Sequence, residues 1–202
     1  IRANDNLSIL SAEAPISQPL MTDGSAFVQL EEEFRQAFEM TVIDLPRNML
    51  INFPHLLADV NLVLLTCELT LASARDTIRI LSWLKANAAH AHPMIVANKV
   101  QPSVAEISKA DFEASIERKI DFAIPYDVKA ASNSAKLGQV FVEANASSKA
   151  TASIKQLAER VMGASEEDLE SITEEKKSLL GGFDFKSLLA KKDKSKAEEA
   201  AE

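Results

Sequence analysis

The chain has 202 residues, 47% of them hydrophobic and 26% charged, with a net charge of −8 and a pI near 5.0. That length suits one domain, or one domain and a tail, and the apolar content is enough to bury a core. The acidic balance argues against non-specific nucleic-acid binding. A single cysteine excludes an internal disulfide framework, and no apolar run reaches the roughly 18 residues a membrane-spanning helix needs.

The start lacks a basic region followed by an apolar one, so no signal peptide is expected. It also lacks a Met, and the expectation is that something precedes Ile1. Residues 7–12 alternate apolar and polar and read as a strand, followed by a loop through Pro15 and Pro19. Phe27, Leu30, Phe34 and Phe38 recur at helical spacing through Glu31, Glu32 and Glu33, which predicts an amphipathic helix whose early acids suit its dipole. Then comes Thr41-Val42-Ile43-Asp44-Leu45-Pro46-Arg47-Asn48. It reads as a buried strand over 41–45, closed by proline, with Asp44 at its carboxyl end. A carboxylate there can hold the Mg²⁺ of a nucleotide through water; it can equally be a solvated strand end.

Residues 48–60 read as a loop and short helix, and 61–67 as a strand covered on both faces. Cys67 in that run is expected to be a buried, inert thiol, as suits a reducing compartment. Leu71, Ala74, Ile78, Leu81 and Leu84 mark a long helix, and 93–98 another buried strand. Phe112, Ile116 and Ile120 share a helix face, 120–124 is a short strand closed by Pro125, and Ile154 to Met162 form a helical stripe that Gly163 can end.

Strands alternating with longer helices predict an α/β fold, a mostly parallel sheet with helices on both faces. Right-handed crossovers then put all carboxyl ends on one edge. Asp44, Glu68, Asn98 and Pro125 should therefore line one crevice. The amide of Asn98 carries a donor and an acceptor and can pair with an adenine edge, or it can tie down its own turn. A phosphate cradle is missing: no G-x-x-x-x-G-K-[ST] occurs, and the chain has only five glycines.

Val42-Ile43-Asp44-Leu45-Pro46, Leu65-Thr66-Cys67-Glu68-Leu69-Thr70 with Arg75-Asp76, Asn98-Lys99, and Ile124-Pro125-Tyr126-Asp127 follow one another in a familiar order and spacing. Over about residues 5–163 the chain resembles the MinD/ParA family of deviant-Walker ATPases. Within that family, Asp44 to Arg47 and the tail look most like the CpaE/TadZ branch of tight-adherence (Flp) pilus-assembly proteins. The resemblance implies a P-loop NTPase fold incomplete at its N-terminus, with ATP and Mg²⁺ as cofactors of the full-length protein. Asp44 would support the metal and Asn98 would contact adenine. The backbone of Pro125, Tyr126 and Asp127 would flank the base. No residue is expected to be catalytic, because the P-loop of the family would precede Ile1. Arg47 stands where MinD and ParA have a small residue, so any turnover should be weak.

His55, His90 and His92 lack acidic or cysteine partners at metal-ligand spacing. Residues 1–163 read as the C-terminal part of the nucleotide-binding domain, and 164–202 as a charged amphipathic or disordered tail. In 176–196, lysines interleave with Leu179, Leu180, Phe183, Phe185, Leu188 and Leu189. That pattern fits docking on a protein partner or peripheral membrane contact, though Gly181-Gly182 interrupts it. Two functions stay open. One is an ATP-binding localisation and assembly factor for a Flp pilus. It would form a homodimer in the cytoplasm, at the cell pole or inner-membrane face, with the pilus secretion ATPase and membrane platform as partners. The other is a cycling MinD/ParA-type ATPase that positions a pole or septum or partitions DNA. No specific nucleic acid is expected in the first reading. A third, blander reading is a decayed nucleotide site used only for protein interaction.

Overall fold

The computed structural model describes residues 1–11, 17, 24–101, 103 and 105–163. The tail, the segment around Pro15 and Pro19, and Ala12 lie outside the described residues. The described residues form two compact units, Ile1–Asn61 with Lys85–Ala91, and Leu62–Leu84 with those from His92 to Gly163.

In the first unit, residues 1–9 make a tight hairpin and not the strand expected over 7–12. The Ile1 amine and Ile9 N–H each donate to the other residue's carbonyl at 2.7 Å, and a lone antiparallel bridge joins Arg2 to Ser8. The Asn4 side chain accepts from Asn6 N–H at 2.8 Å and sets the turn. Helix α1 (Gly24–Ala37) follows the predicted spacing, but Phe38 lies past its end. Glu31 to Glu33 fall beyond its first turn, so they do not complement its dipole as expected. The apolar stripe meets the next segment: Phe27 packs edge-to-face on Phe53 at 5.6 Å, and Phe53 on His55 at 5.9 Å. Arg35 pairs with Asp59 at 3.0 Å.

Residues 41–45 correct the sequence reading. They carry no strand pairing, and Val42 and Ile43 are 81% and 43% exposed. The residues have strand propensity, but a strand needs a hydrogen-bonded neighbour, and none of the described residues supplies one. Helix α2 (Arg47–Asn52) starts directly after Pro46, and a 3-10 turn (Pro54–Leu57) begins on Pro54. The loop and short helix expected over 48–60 thus appear as two short pieces.

The second unit holds the sheet. Strands β1 (Leu62–Cys67), β2 (His92–Val100) and β3 (Phe122–Pro125) are parallel, in that spatial order. Leu65 opposes Ile95 and Cys67 opposes Ala97, so these four share one face. Helices α3 (Leu71–Asn87) and α4 (Lys109–Ile116) connect the strands. Their residues Ala74, Leu81, Phe112 and Ile116 pack with Cys67, Ile95 and Ala97 into one core. Two crossovers of the same hand place both helices on that face. Ile120 leaves the helix but stays in this core, and the strand expected from 120 starts at Phe122. Asp121 tethers that start: its carboxylate accepts from Ile95 N–H at 2.7 Å and its own N–H donates to Ile95 O at 2.9 Å.

Helices α5 (Val128–Leu137), α6 (Phe141–Ala144) and α7 (Lys149–Gly163) complete the unit, with α7 against β3. Sequence periodicity finds α7 but misses α5 and α6. The reason is composition: α5 buries Ala130 and Ser134, which carry no apolar signal. Gly138 ends α5 with φ of 61°.

Candidate functional site

Because the three strands run parallel, their carboxyl ends meet on one edge of the sheet. A cavity of about 350 Å³ opens there, lined by Glu68 and Leu69 after β1, Lys99 and Gln101 at the end of β2, and Tyr126 after β3. Open α/β sheets bind ligands at such a rim. Leu69 N-terminal to α3 forms its apolar floor and is 7% exposed. The backbone there is tied down twice. Thr70 caps α3 by accepting from Ser73 N–H at 3.1 Å, and the Ser73 hydroxyl accepts from Glu68 N–H at 3.2 Å. Ile107 N–H donates to Leu69 O at 3.4 Å, beside Ala105 and Glu106 of the lining.

The end of β2 is irregular. The register slips between Ala97 and Val100, and Lys99 has φ of 52°, a left-handed conformation rare outside glycine. The Asn98 side-chain oxygen accepts from Lys99 N–H at 2.9 Å and holds this bulge. The Lys99 ammonium then reaches across the rim to Glu68 at 2.7 Å, and that hydrogen bond raises the Lys99 pKa. Tyr126 N–H donates to Val100 O at 3.1 Å and brings the ring, 47% exposed, to the opposite wall.

The structure brings part of the expected set together. Glu68 lines the cavity, and so do Lys99 and Tyr126, the neighbours of Asn98 and Pro125. Asn98 is half-buried with its oxygen engaged in the bulge, one of the two roles its amide can play. Asp127 caps α5: one oxygen accepts from Ala130 N–H at 2.9 Å, the other from the Ser148 hydroxyl at 2.8 Å. Those bonds hold its carboxyl below its ordinary value of 3.8. Its side chain is thus a structural tie, and of residues 125–127 Tyr126 lines the cavity. Asp44 belongs to the first unit, where it is exposed just before α2. Gln101 was not singled out from the sequence. It lies three residues past Asn98 with no flanking pattern to mark it, and only the bulge turns that stretch into a cavity wall.

The donor set fits some ligands and not others. Glu68 and Glu106 are carboxylates on the rim, and the one cation, Lys99, is already paired. That balance does not favour phosphates, whereas an aromatic face, an apolar floor and a free amide suit a flat heterocycle. Among the described residues no cluster of three or more His, Cys, Asp or Glu side chains is placed to hold a metal ion. Also among the described residues, no helix is long and apolar enough to cross a membrane.

The parallel sheet with flanking helices shares its α/β fold with solved MinD and ParA structures. The chain is similar to the MinD cell division protein of Aquifex aeolicus, with a TM-score of 0.61 and 20% identity over 73% of this chain and 64% of that one. It is similar to a ParA family ATPase from Chlorobium tepidum TLS, with a TM-score of 0.62 and 18% identity over 68% and 57%. A third likeness is the cell division ATPase MinD of Pyrococcus furiosus, with a TM-score of 0.58 and 21% identity over 69% and 58%. The chain thus spans less than two thirds of the length of each. No protein-family model matches it, and no curated protein does.

Proposed function

We propose that this chain is part of a MinD/ParA-like ATP-binding protein that serves as a localisation and assembly factor for a tight-adherence (Flp) pilus system. The observation that carries the reading is the cavity at the joined carboxyl ends of β1, β2 and β3. The base of ATP occupies it, beside the backbone of 125–127 and within reach of Asn98. In the full-length protein Asp44 supports Mg²⁺ through water. The resemblance to the CpaE/TadZ branch supports the pilus role, a homodimer, and a cytoplasmic station at the pole or inner-membrane face. The pilus secretion ATPase and its membrane platform are the partners, with residues 176–196 free to contact a protein or a membrane surface. Arg47, directly after Asp44-Leu45-Pro46, replaces a small switch residue and slows turnover.

A cycling ATPase that positions a cell pole or septum is the second reading, and two of the similar structures, both cell-division proteins, favour it. Steady-state ATP hydrolysis by the full-length protein, with Asp44→Ala as control, separates the two. The expected result is ATP binding with weak or no turnover. Turnover equal to that of a MinD control would end the assembly-factor reading, and failure to bind ATP would end both.

A further inference from the structure

We propose that Glu31 and His55 share one proton, and that its uptake fastens helix α1 to the turn at 54–57. The contact tightens toward acid pH and loosens toward alkaline pH. It lies in the first unit, apart from the residues of the rim cavity, and does not rest on the nucleotide reading.

Two buried polar atoms carry the argument. Glu31 Oε1 and His55 Nε2 are both closed off from solvent, and neither has a hydrogen-bond partner among the described residues. Buried polar atoms are nearly always paired, so two orphans on adjoining elements need an explanation. Helix α1 packs on the 3-10 turn, and the two groups stand close enough for the His55 charge to act on the Glu31 carboxyl. The imidazole is held in place. Its ring meets Phe53 edge-to-face at 5.9 Å, and only a glycine fits beside it: a methyl on Gly24 would stand 3.0 Å from Cε1 and 3.5 Å from Nε2.

With the ring hydrogen on Nδ1, Nε2 is an acceptor, and so is a carboxylate oxygen; two acceptors cannot bond each other. One proton from solvent changes that. Carried by Glu31, it makes an O–H that donates to Nε2; carried by His55, it makes an N–H that donates to the carboxylate. The count is the same, so the proton belongs to the pair. The sign of the pH dependence follows from Glu31. Burial pushes its carboxyl above the ordinary 4.5, with His55 and Arg35 opposing the rise and Asp59 adding to it. A raised native value gives a contribution that is full below 4.5 and is lost as pH climbs through the native value. The other charges nearby are engaged: Arg35 pairs with Asp59 at 3.0 Å and with Glu32 at 3.8 Å, and His90 Nε2 bonds Leu57 O of the turn at 3.1 Å. Helix α2, whose one charged residue is Arg47, also packs on this turn, so the proton is felt by the helix that follows Asp44.

The test is amide hydrogen exchange of α1 in the whole chain at about pH 5 and about pH 8, corrected for the intrinsic effect of pH. In the wild-type protein the helix should open about 10-fold more often at the higher pH, the cost of leaving a buried bond unmade. Glu31→Gln carries an NH₂ donor at every pH. It should abolish the difference and hold α1 at the higher pH as firmly as the wild type does at the lower. His90→Gln should leave the difference intact. The ¹⁵N shifts of His55 at the higher pH should report the hydrogen on Nδ1. The proposal is overturned if α1 exchanges alike at both pH values, if the difference persists in Glu31→Gln, if it vanishes in His90→Gln, or if the neutral ring carries its hydrogen on Nε2, which could then donate to Glu31 without a further proton. The two wild-type measurements decide the matter even where a variant does not fold.

Discussion

Phe112→Ala is the sharpest probe of the layer that supports the cavity. Phe112 is 0% exposed and packs from α4 against Cys67, Ile95 and Ala97 of the sheet. Val100, Ala105 and Ile107, partly buried, pack on the same cluster, and Ala105 and Leu69 also line the cavity. A buried Phe removes about 150–250 Å² from water. At about 25 cal/mol per Å² that is roughly 4–6 kcal/mol, part of which the alanine methyl retains. Truncation of buried Phe to Ala costs about 3–5 kcal/mol, which agrees. A loss near 4 kcal/mol is a large share of the roughly 5–15 kcal/mol typical of a folded domain. Phe112→Leu keeps most of the volume and should cost about 1 kcal/mol. Urea unfolding followed by circular dichroism measures both. An alanine loss below about 1 kcal/mol, or a leucine loss equal to it, would refute the claim that Phe112 is locked in the sheet-to-helix core.

Gly138→Ala should destabilise by about 1–2 kcal/mol through backbone strain alone, because φ is 61° and no atom stands within 4 Å of the added methyl; thermal melting reads it, and a neutral outcome would mean that the α5 cap is not left-handed. Stability should decline as pH falls below the ordinary carboxylate values of 4.5 for Glu113 and 3.8 for Asp127. Glu113 is held down by Lys119 and by Ile120 N–H, and Asp127 by Ala130 N–H and Ser148. Both native values are lowered, so their contribution is present above the ordinary values and is lost as pH drops through the native ones. Glu113→Gln with Asp127→Asn should flatten that acid limb in urea titrations at successive pH values, and an unchanged slope would remove these two carboxylates as its cause. Burial pushes the Cys67 thiol up to about 11, so a thiol reagent at pH 8 should label it only in urea; rapid labelling of the native protein would show β1 to be open.

Strands β1 and β2 were legible as continuous apolar runs, and helices α3 and α7 because their apolar residues follow period 3.6. Edges were not legible at the same level. The strand at 120–124 shifted because Ile120 is as apolar as a strand residue but serves the α4 core. Helix α5 escaped because alanine and serine do its burying. At the site, the gathering of strand ends could be read from alternation alone, and Glu68 and Tyr126 meet there as topology requires. The role of each side chain could not. Asn98 and Asp127 both look available on paper, yet the Asn98 oxygen already accepts from Lys99 N–H, and the Asp127 carboxylate from Ala130 N–H and the Ser148 hydroxyl. Sequence identifies what a group can bond to, whereas only geometry shows which bonds are already made.

The miss at 41–45 and the composition of β1 share one physical cause. A strand is a property of a pair, so residues rich in valine, isoleucine and threonine become one only where a neighbour completes the ladder. Residues 41–45 have that composition and no ladder, and Val42 stands 81% exposed. β1 reads as a strand covered on both sides. In the structure its only partner among the described residues is β2, and Leu64 on its second face is 39% exposed. Met94 and Val96 on that same face of the sheet are buried to 6% and 2%. The second face is therefore closed over β2 and open over β1. Polar edge strands manage such exposure with charges, but residues 62–67 contain none. An uncharged apolar edge has the composition of a strand covered on both faces, which is how the sequence reads residues 61–67.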